Sequence, residues 1–247
     1  MKGPSIVTQG RRRFLGVVAA AAAALGGLPL AGRATPTGRD RMKIGIVGSG
    51  KVGGSLGSVW VKAGHEVMFS SRTIDNDREL AARLGPGAHA GTPREAAAFG
   101  EVVMVSVPYR ALPEVGKALA DLIAGKVVID TCNPFVSRDG EVATWARKKG
   151  AGLASAELLP GARLVRAFNA IGYARMATAH EQPGRFGMPI AGDDAEAIEV
   201  ASRLIRDIGY EPVLVGGLAK GKHLMPGTPL AGERSAEEVR QIAATLN

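Results

Sequence analysis

The sequence predicts an α/β fold with a doubly wound parallel sheet and a smaller C-terminal α/β portion. Short apolar segments of strand length alternate with amphipathic segments of helical length along most of the chain. Parallel strands need crossover connections, and helical crossovers cover both faces of the sheet. The chain has 247 residues, of which 46% are apolar, and can bury a core of this size.

The elements of the first half follow in regular order. Thr92, Pro93 and Glu95 form a capping-box pattern that marks the start of one helix. Pro108 ends an apolar strand. Predicted strands lie at residues 43–47, 65–70, 101–107, 126–130 and 163–169, and predicted helices at residues 53–63, 77–84, 111–123, 141–149 and 155–159, with one more from residue 92.

The alternation resumes after a break at residues 180–185. Strands are predicted at residues 186–191 and 210–215, separated by a long helix over residues 193–208 with acidic residues at its positive end. Residues 218–224 are predicted to be helical, and Ser235 opens a final helix. We therefore predict a nucleotide-binding domain over residues 42–172 and a smaller, substrate-side portion over residues 173–247.

A glycine-rich loop directly follows the first predicted strand and opens the first helix. Gly48 permits a tight turn, Gly50 lets a pyrophosphate approach the backbone, and Gly53 allows close packing of helix on strand. The pyrophosphate would meet free N–H groups at the positive helix end. This context predicts a Rossmann-type dinucleotide site, whose loop comprises Gly48, Ser49, Gly50, Lys51, Val52 and Gly53.

The end of the second strand indicates which dinucleotide binds. NAD sites usually carry Asp or Glu there, to bind the ribose hydroxyls. This chain has Ser71 and Arg72, which can donate a hydrogen bond and a planar charged fork to the 2′-phosphate of NADP. Arg78 is a further candidate contact. Asp75 and Asp77 are interpreted as helix-start residues. The sequence thus predicts NADP(H).

Three further segments end strands at the edge where the cofactor would lie. Val107 and Pro108 are assigned to the cofactor side, whereas Asn133, Pro134, Asn169, Ala170 and Ile171 are candidates for the substrate pocket. Turn chemistry explains Asn, Pro and Gly at such positions equally well, so both interpretations stay open. We assign no catalytic side chain, because no nucleophile–base pair or carboxylate dyad stands out. Hydride transfer between two bound groups needs none.

The first 34 residues have the features of an export signal. Arg11, Arg12, Arg13, Phe14 and Leu15 contain a twin-arginine pattern, and a moderately apolar stretch follows it. This stretch is shorter than a membrane span of about 20 residues, so cleavage and export are expected, with no stable span in the mature form. Residues 35–41 are a short leader. The alternatives are translation from Met42, which predicts a cytoplasmic protein, and an uncleaved anchor.

Charge and cysteine content exclude several classes. The net charge is +8, but five of the basic residues lie in residues 1–34, which hold no acid. Aromatic residues make up only 4%, and no basic stripe suggests nucleic-acid binding. Cys132 is the only cysteine, which excludes an intramolecular disulfide, and the four histidines lack ligand spacing, so we predict no metal site.

The glycine loop and its flanks resemble the NADPH-dependent coenzyme F420 reductases. The resemblance includes Ser71-Arg72, which matches their 2′-phosphate site, and spans residues 42–226; its motifs are residues 42–54, 63–67, 167–172 and 190–197. It implies a Rossmann domain with a smaller C-terminal portion and a deazaflavin, coenzyme F420, lying across the nicotinamide in the cleft between them. Residues 107–108, 133–134 and 169–171 would line that cleft.

The sequence is therefore compatible with three functions. The first is hydride transfer between NADPH and a deazaflavin or similar flat acceptor. The second is an NADPH-dependent flavin or ferric reductase, and the third is a non-catalytic NADP-binding module. Expected partners are a small-molecule acceptor, the twin-arginine export machinery and a second copy of the chain. Imine and hydroxyacid dehydrogenases fit less well, because the chain returns to strands after Asn169 where they have a helical domain.

Overall fold

A computed structural model describes residues 41–178, 181 and 184–246. The predicted export signal of residues 1–34 lies outside these ranges, as do His180 and nearly all of the predicted leader. None of the helices in the described ranges combines the length and the apolar content needed to cross a membrane.

Eight strands form one sheet in the order β3-β2-β1-β4-β5-β6-β7-β8. The strands are β1 Lys43–Val47, β2 Glu66–Ser70, β3 Ala88–Ala90, β4 Val102–Val105, β5 Val127–Asp130, β6 Arg163–Arg166, β7 Gly187–Gly192 and β8 Glu211–Gly216. The order of the first six is that of the doubly wound dinucleotide-binding fold, so the predicted fold class is confirmed. Strand β3 was not predicted, because its three residues are too few to show a strand pattern.

One strand pair departs from the predicted parallel sheet. Strands β1 to β6 pair in parallel, and so do β7 and β8, but β7 runs antiparallel to β6. Apolar patterning gives no strand direction, because a buried strand is apolar in either orientation. Strands β7 and β8 extend the same sheet, and the functional division at residue 172 remains a prediction.

Nine α-helices are described. They are α1 Lys51–Lys62, α2 Ile74–Leu84, α3 Pro93–Phe99, α4 Leu112–Ile123, α5 Val136–Lys149, α6 Ala151–Leu158, α7 Tyr173–Met176, α8 Ala195–Asp207 and α9 Ala236–Thr245. Two 3-10 helices lie at Tyr109–Ala111 and Leu218–His223. Helices α1 and α2 begin two and three residues before their predicted starts at residues 53 and 77.

The core has one layer on each side of the sheet. On one face, Trp60 of α1 packs edge-on against Phe168, which packs edge-on against Tyr210. The buried Trp60 indole donates a hydrogen bond of 2.9 Å to the Leu204 carbonyl of α8. On the other face, Leu119 and neighbouring apolar side chains of α4 and α6 cover the sheet. Both faces of the sheet are therefore covered, which leaves the carboxyl ends of the strands as the free edge.

Candidate functional site

The predicted site residues follow strands that leave the sheet at a single edge. Strands β1, β2, β4, β5 and β6 are parallel neighbours, so their carboxyl ends lie side by side. The loops after these strands carry the glycine motif, Ser71 and Arg72, Val107 and Pro108, Asn133 and Pro134, and residues 169–171. Arg78 is the outlier, because it lies within α2, where its exposed side chain pairs with Asp75 at 2.9 Å.

Packing explains two glycines of the motif. Gly48 has a φ of 102°, and a Cβ there would lie 2.3 Å from the Ser106 carbonyl oxygen. At Gly53, a Cβ would lie 2.1 Å from the Gly48 carbonyl oxygen, so the first turn of α1 closes directly on the loop. The N–H groups of Gly48 and Ser49 both donate to the Ser70 carbonyl at 2.9 Å, which ties the loop to β2.

Packing does not explain Gly50. Its φ of −65° suits any residue, and a Cβ there would meet no atom within 4 Å. Among the described glycines, only Gly172 shares both properties, with a φ of −75° and no atom within 4 Å of a Cβ. Both are helix N-cap residues, where glycine is preferred to alanine, and a ligand touching the backbone would favour glycine further.

The first turn of α1 is prepared for an anion. In the described part of the chain, no side chain caps this helix, and its first turn holds no acidic residue. Thr92, Asp194 and Ser235 cap α3, α8 and α9, and each of those helices has an acid in its first turn. Helices α6 and α7 share both properties of α1, but only α1 opens from the glycine-rich loop after β1. The N–H groups and the positive dipole end of α1 therefore stay available for a phosphate group.

A cation–π contact joins the glycine loop to the loop after β6. The Lys51 ammonium lies 4.9 Å from the centre of the Tyr173 ring, and Tyr173 is 44% exposed. Lys51 follows Gly50, and Tyr173 follows Gly172. These two glycines therefore flank one contact.

A buried carboxylate connects the glycine loop to the loop after β2. Asp77, in the first turn of α2, is only 1% exposed. Its two carboxylate oxygens accept hydrogen bonds from the hydroxyls of Ser49 and Ser71, the latter at 2.7 Å. Asp77 is a helix-start residue as predicted, but its hydrogen bonds with Ser49 and Ser71 were not predicted from the sequence. Arg72, beside it, is exposed and makes no hydrogen bond or ion pair with any described residue.

The two candidate asparagines support each other's loops. The Asn133 amide donates to the Asn169 carbonyl at 2.9 Å, and the Asn169 amide donates to the Cys132 carbonyl at 3.4 Å. The side-chain oxygens of both are buried without a hydrogen-bond partner among the described residues. Pro134 and Ala170 are buried beside them, and Ile171 packs on the core. These side chains therefore fix the loops after β5 and β6.

An unusual backbone turn sets the direction of the second of these loops. Phe168 has a φ of 64°, the only positive φ of a non-glycine residue in the described ranges. Its ring is held at right angles to Trp60 and Tyr210, with interplanar angles of 83° and 80°. This turn explains why β6 stops at Arg166 instead of the predicted residue 169. Such strain persists where the surroundings enforce it, often at functional loops.

A buried ion pair lies beneath the loops after β5 and β6. Asp130 and Arg166, the last residues of these strands, are both fully buried and hydrogen-bonded to each other. Arg166 also donates to the Cys132 carbonyl at 3.1 Å, and Asp130 accepts from the Cys132 N–H at 2.8 Å. This pair was not predicted from the sequence. The signal that could have indicated it is a charged residue at the end of each of two apolar strands. The pair fixes the backbone that leads to Asn133.

Cys132 is held in a neutral form. Burial, with the nearby Asp130 charge, raises the pKa of its thiol well above the usual value. The sulfur lies 3.4 Å from the Val107 nitrogen and 3.5 Å from the Val105 carbonyl oxygen, so it packs between β4 and β5. In the described ranges, no group of three or more His, Cys, Asp or Glu side chains could hold a metal ion.

Asp139 stabilises the start of α5, next to Asn133. Burial would raise the pKa of its carboxyl, but hydrogen bonds from Arg138 and from the N–H groups of Arg110 and Phe135 outweigh burial and lower it. Arg138 in turn donates to the Asn133 carbonyl at 2.9 Å. This network holds the outer wall of the loop after β5.

Comparisons with known proteins agree with this geometry. Residues 43–134 match the family described as NADP oxidoreductase coenzyme F420-dependent. The chain is 29% identical over 203 residues to the F420-dependent NADP reductase of Methanothermobacter thermautotrophicus, covering 76% of this chain and 87% of that protein. Among solved structures, a hypothetical protein from Sinorhizobium meliloti, SMa0349, is similar, with 25% identity, a TM-score of 0.64, and coverage of 77% and 93% respectively.

A second relative is a metalloreductase. The chain is 31% identical over 186 residues to the metalloreductase STEAP3 of Rattus norvegicus, covering 75% of this chain. It spans only 36% of the length of that protein.

Removing the buried arginine should destabilise the fold strongly. We expect Arg166→Met to lower the free energy of unfolding by about 3–5 kcal/mol, because it leaves the Asp130 carboxylate buried without its partner. Urea denaturation measures this change. The control is Arg206→Met, which removes an exposed arginine 3.4 Å from Glu199 and should have no measurable effect. Similar losses in both variants would contradict the interpretation of the buried pair.

The lowered pKa of Asp139 predicts a pH-dependent contribution to stability. Because the folded pKa lies below the usual value of 3.8, the contribution is complete above that value and is lost as pH falls through the folded pKa. We expect Asp139→Asn to cost about 1–3 kcal/mol at pH 7. The gap from the wild type should shrink below pH 4, measured by urea denaturation. A gap that stays constant down to pH 2 would contradict this assignment.

Proposed function

We propose that this chain, an NADP-dependent oxidoreductase, transfers hydride between NADPH and a deazaflavin or similar flat acceptor. The observation that carries the nucleotide site is Gly50, whose backbone is exposed at an uncapped helix start although packing there would allow a side chain. The hydride acceptor is inferred separately, from the relatives.

The glycine loop would hold the pyrophosphate. The N–H groups of Lys51, Val52 and Gly53 lie in the first turn of α1, where no helical carbonyl precedes them. A methyl group at Gly50 would project into the space that a phosphate must reach. Gly172 would bring the loop after β6 against the same ligand, with the Lys51–Tyr173 contact beside it.

Arg72 is the main candidate for the 2′-phosphate. It is exposed, is free of partners among the described residues, and follows β2 where the adenosine ribose would lie. Ser71 lies beside it. Arg78 is a weaker candidate, since it would first have to leave Asp75. That exposed ion pair is worth little, so the exchange remains feasible.

The loops after β4, β5 and β6 would enclose the nicotinamide. When bound, NADPH supplies the hydride, and the chain supplies orientation and exclusion of water. Val107 and Pro108 form one side, and Asn133, Pro134 and residues 169–171 form the other. Their positions are fixed by Asn133–Asn169 and by the buried Asp130–Arg166 pair. A rigid wall of this kind favours one distance between donor and acceptor.

Two exposed aromatic rings support a flat acceptor. Phe135, at the start of α5, is 39% exposed, and Tyr173, at the start of α7, is 44% exposed. Both follow the strands whose loops would enclose the nicotinamide, and aromatic rings stack well on planar molecules. The relationship to an F420-dependent NADP reductase over most of its length favours a deazaflavin. The relationship to a metalloreductase supports a flavin or ferric acceptor as the second candidate.

Replacing Gly50 should separate binding from folding. We expect Gly50→Ala to lower the free energy of unfolding by about 1 kcal/mol at most, because a helix N-cap prefers glycine to alanine but the methyl group would meet no atom. The same variant should bind NADPH at least tenfold more weakly, measured by fluorescence titration. Ser55→Ala, in the same helix, serves as a control and should bind normally. Normal NADPH affinity in Gly50→Ala would remove the proposed pyrophosphate site.

An acceptor screen tests the proposed reaction. Purified protein and NADPH are mixed with coenzyme F420, flavin mononucleotide or a ferric chelate, and NADPH oxidation is followed by stopped-flow absorbance. We expect the fastest turnover with coenzyme F420, since a hydride acceptor of matching shape can use the enclosed geometry. Turnover only with flavin or ferric chelate supports the second candidate. Tight NADPH binding without any turnover would instead indicate a non-catalytic module.

Export of the chain is a separate proposal, which rests on the twin-arginine pattern at residues 11–15. We propose that residues 1–34 direct the folded protein across the membrane and are then removed. Mass spectrometry of the protein from a periplasmic fraction should show a mature chain that lacks about the first 34 residues. A cytoplasmic protein that starts at Met42 would contradict this proposal.

A further inference from the structure

We infer that Asp77 limits the preference of the site for NADP(H) over NAD(H), by opposing Arg72 at the ribose 2′ position. The inference rests on the nucleotide site proposed above and does not depend on the identity of the hydride acceptor.

Two serine hydroxyl groups direct their protons toward oxygen atoms of the protein. Ser49 donates its proton to Asp77, and Ser71 donates to Asp77 at 2.7 Å or to the Thr73 carbonyl at 3.1 Å. The Ser71 oxygen also accepts from the Thr73 N–H at 3.2 Å, which leaves it one free lone pair. A hydroxyl has one proton and two lone pairs. With their protons committed to the protein, both serines can only accept hydrogen bonds from a ligand. They are therefore suited to ribose hydroxyl groups and poorly suited to a phosphate, which also accepts.

The charge of Asp77 is a second contribution. Asp77 lies one hydroxyl group behind the position where the 2′ substituent would lie, and its carboxylate is 1% exposed, so solvent screens it weakly. A negative charge at this place disfavours a 2′-phosphate and favours a 2′-hydroxyl, as the acidic residue does in NAD sites. Here the acid comes from the first turn of α2 instead of the strand end.

Arg72 provides the opposite contribution. It is exposed and forms no hydrogen bond or ion pair with a described residue, so its guanidinium can turn toward a phosphate. The site thus combines a cation that attracts the 2′-phosphate with a buried anion that repels it. The preference for NADP(H) is the difference between the attraction by Arg72 and the repulsion by Asp77. This preference is smaller than Arg72 alone would give.

The test is the ratio of the dissociation constants for NADH and NADPH, measured by fluorescence titration. Asp77→Asn keeps the shape of the side chain, removes the charge and lets the amide donate to one serine, whose proton can then face the ligand. We expect the ratio to rise about tenfold toward NADPH. Arg72→Ala should change the ratio in the opposite direction. The control Glu79→Gln, an exposed acid on the same helix, should leave the ratio unchanged.

Ser71→Ala provides a second test that does not alter the buried carboxylate. If the Ser71 hydroxyl accepts a hydrogen bond from the ribose, its loss should weaken the binding of NADH at least as much as the binding of NADPH. A purely structural role for Asp77 predicts that Asp77→Asn weakens both nucleotides equally, and an unchanged or lower ratio overturns the inference. If Asp77→Asn does not fold, a larger loss for NADPH than for NADH in Ser71→Ala overturns it. A wild-type protein that binds neither nucleotide would overturn the nucleotide site itself.

Discussion

The geometry of the candidate site depends on close backbone packing in the loop between β1 and α1. Gly48 and Gly53 are pressed against backbone oxygens, and two N–H groups of the loop donate to one carbonyl of β2. This packing fixes the axis of α1 and aims its first turn at the free edge of the sheet. Gly50 then keeps that turn accessible. A single short loop therefore combines close backbone packing at Gly48 and Gly53 with an open backbone position at Gly50.

The polar groups below the edge extend this rigidity to the neighbouring loops. Burying Asp130 and Arg166 has a large desolvation cost, and apolar residues could fill the same space with equal or greater stability. The pair instead hydrogen-bonds the backbone of Cys132 from both sides. The left-handed Phe168 turn and the Asn133–Asn169 contact act on the next segments. We interpret these features as the stiff part of the candidate site, whereas Arg72 and Tyr173 are its exposed, adaptable part.

Much of this could be predicted from the sequence, because the strongest signals are local. The place of the glycine loop between a strand and a helix, the capping box at Thr92 and the apolar strands depend on neighbours in the chain, and these predictions are confirmed. The antiparallel direction of β7, the Asp77 bridge and the Asp130–Arg166 pair could not be predicted with the same ease. Each joins residues distant in sequence or depends on strand direction, which hydrophobic patterning does not encode. The roles of the individual site residues remain predictions.

Hydrogen–deuterium exchange with and without NADPH tests the central claim most directly, since it reports where the nucleotide touches the backbone. The account predicts slower exchange in two separate segments, residues 48–55 and residues 169–176, which meet at the Lys51–Tyr173 contact. It predicts a smaller effect at residues 70–73 with NADH than with NADPH. Protection confined to other parts of the chain, or absent although NADPH binds, would contradict the claim that the carboxyl edge of the sheet holds the nucleotide.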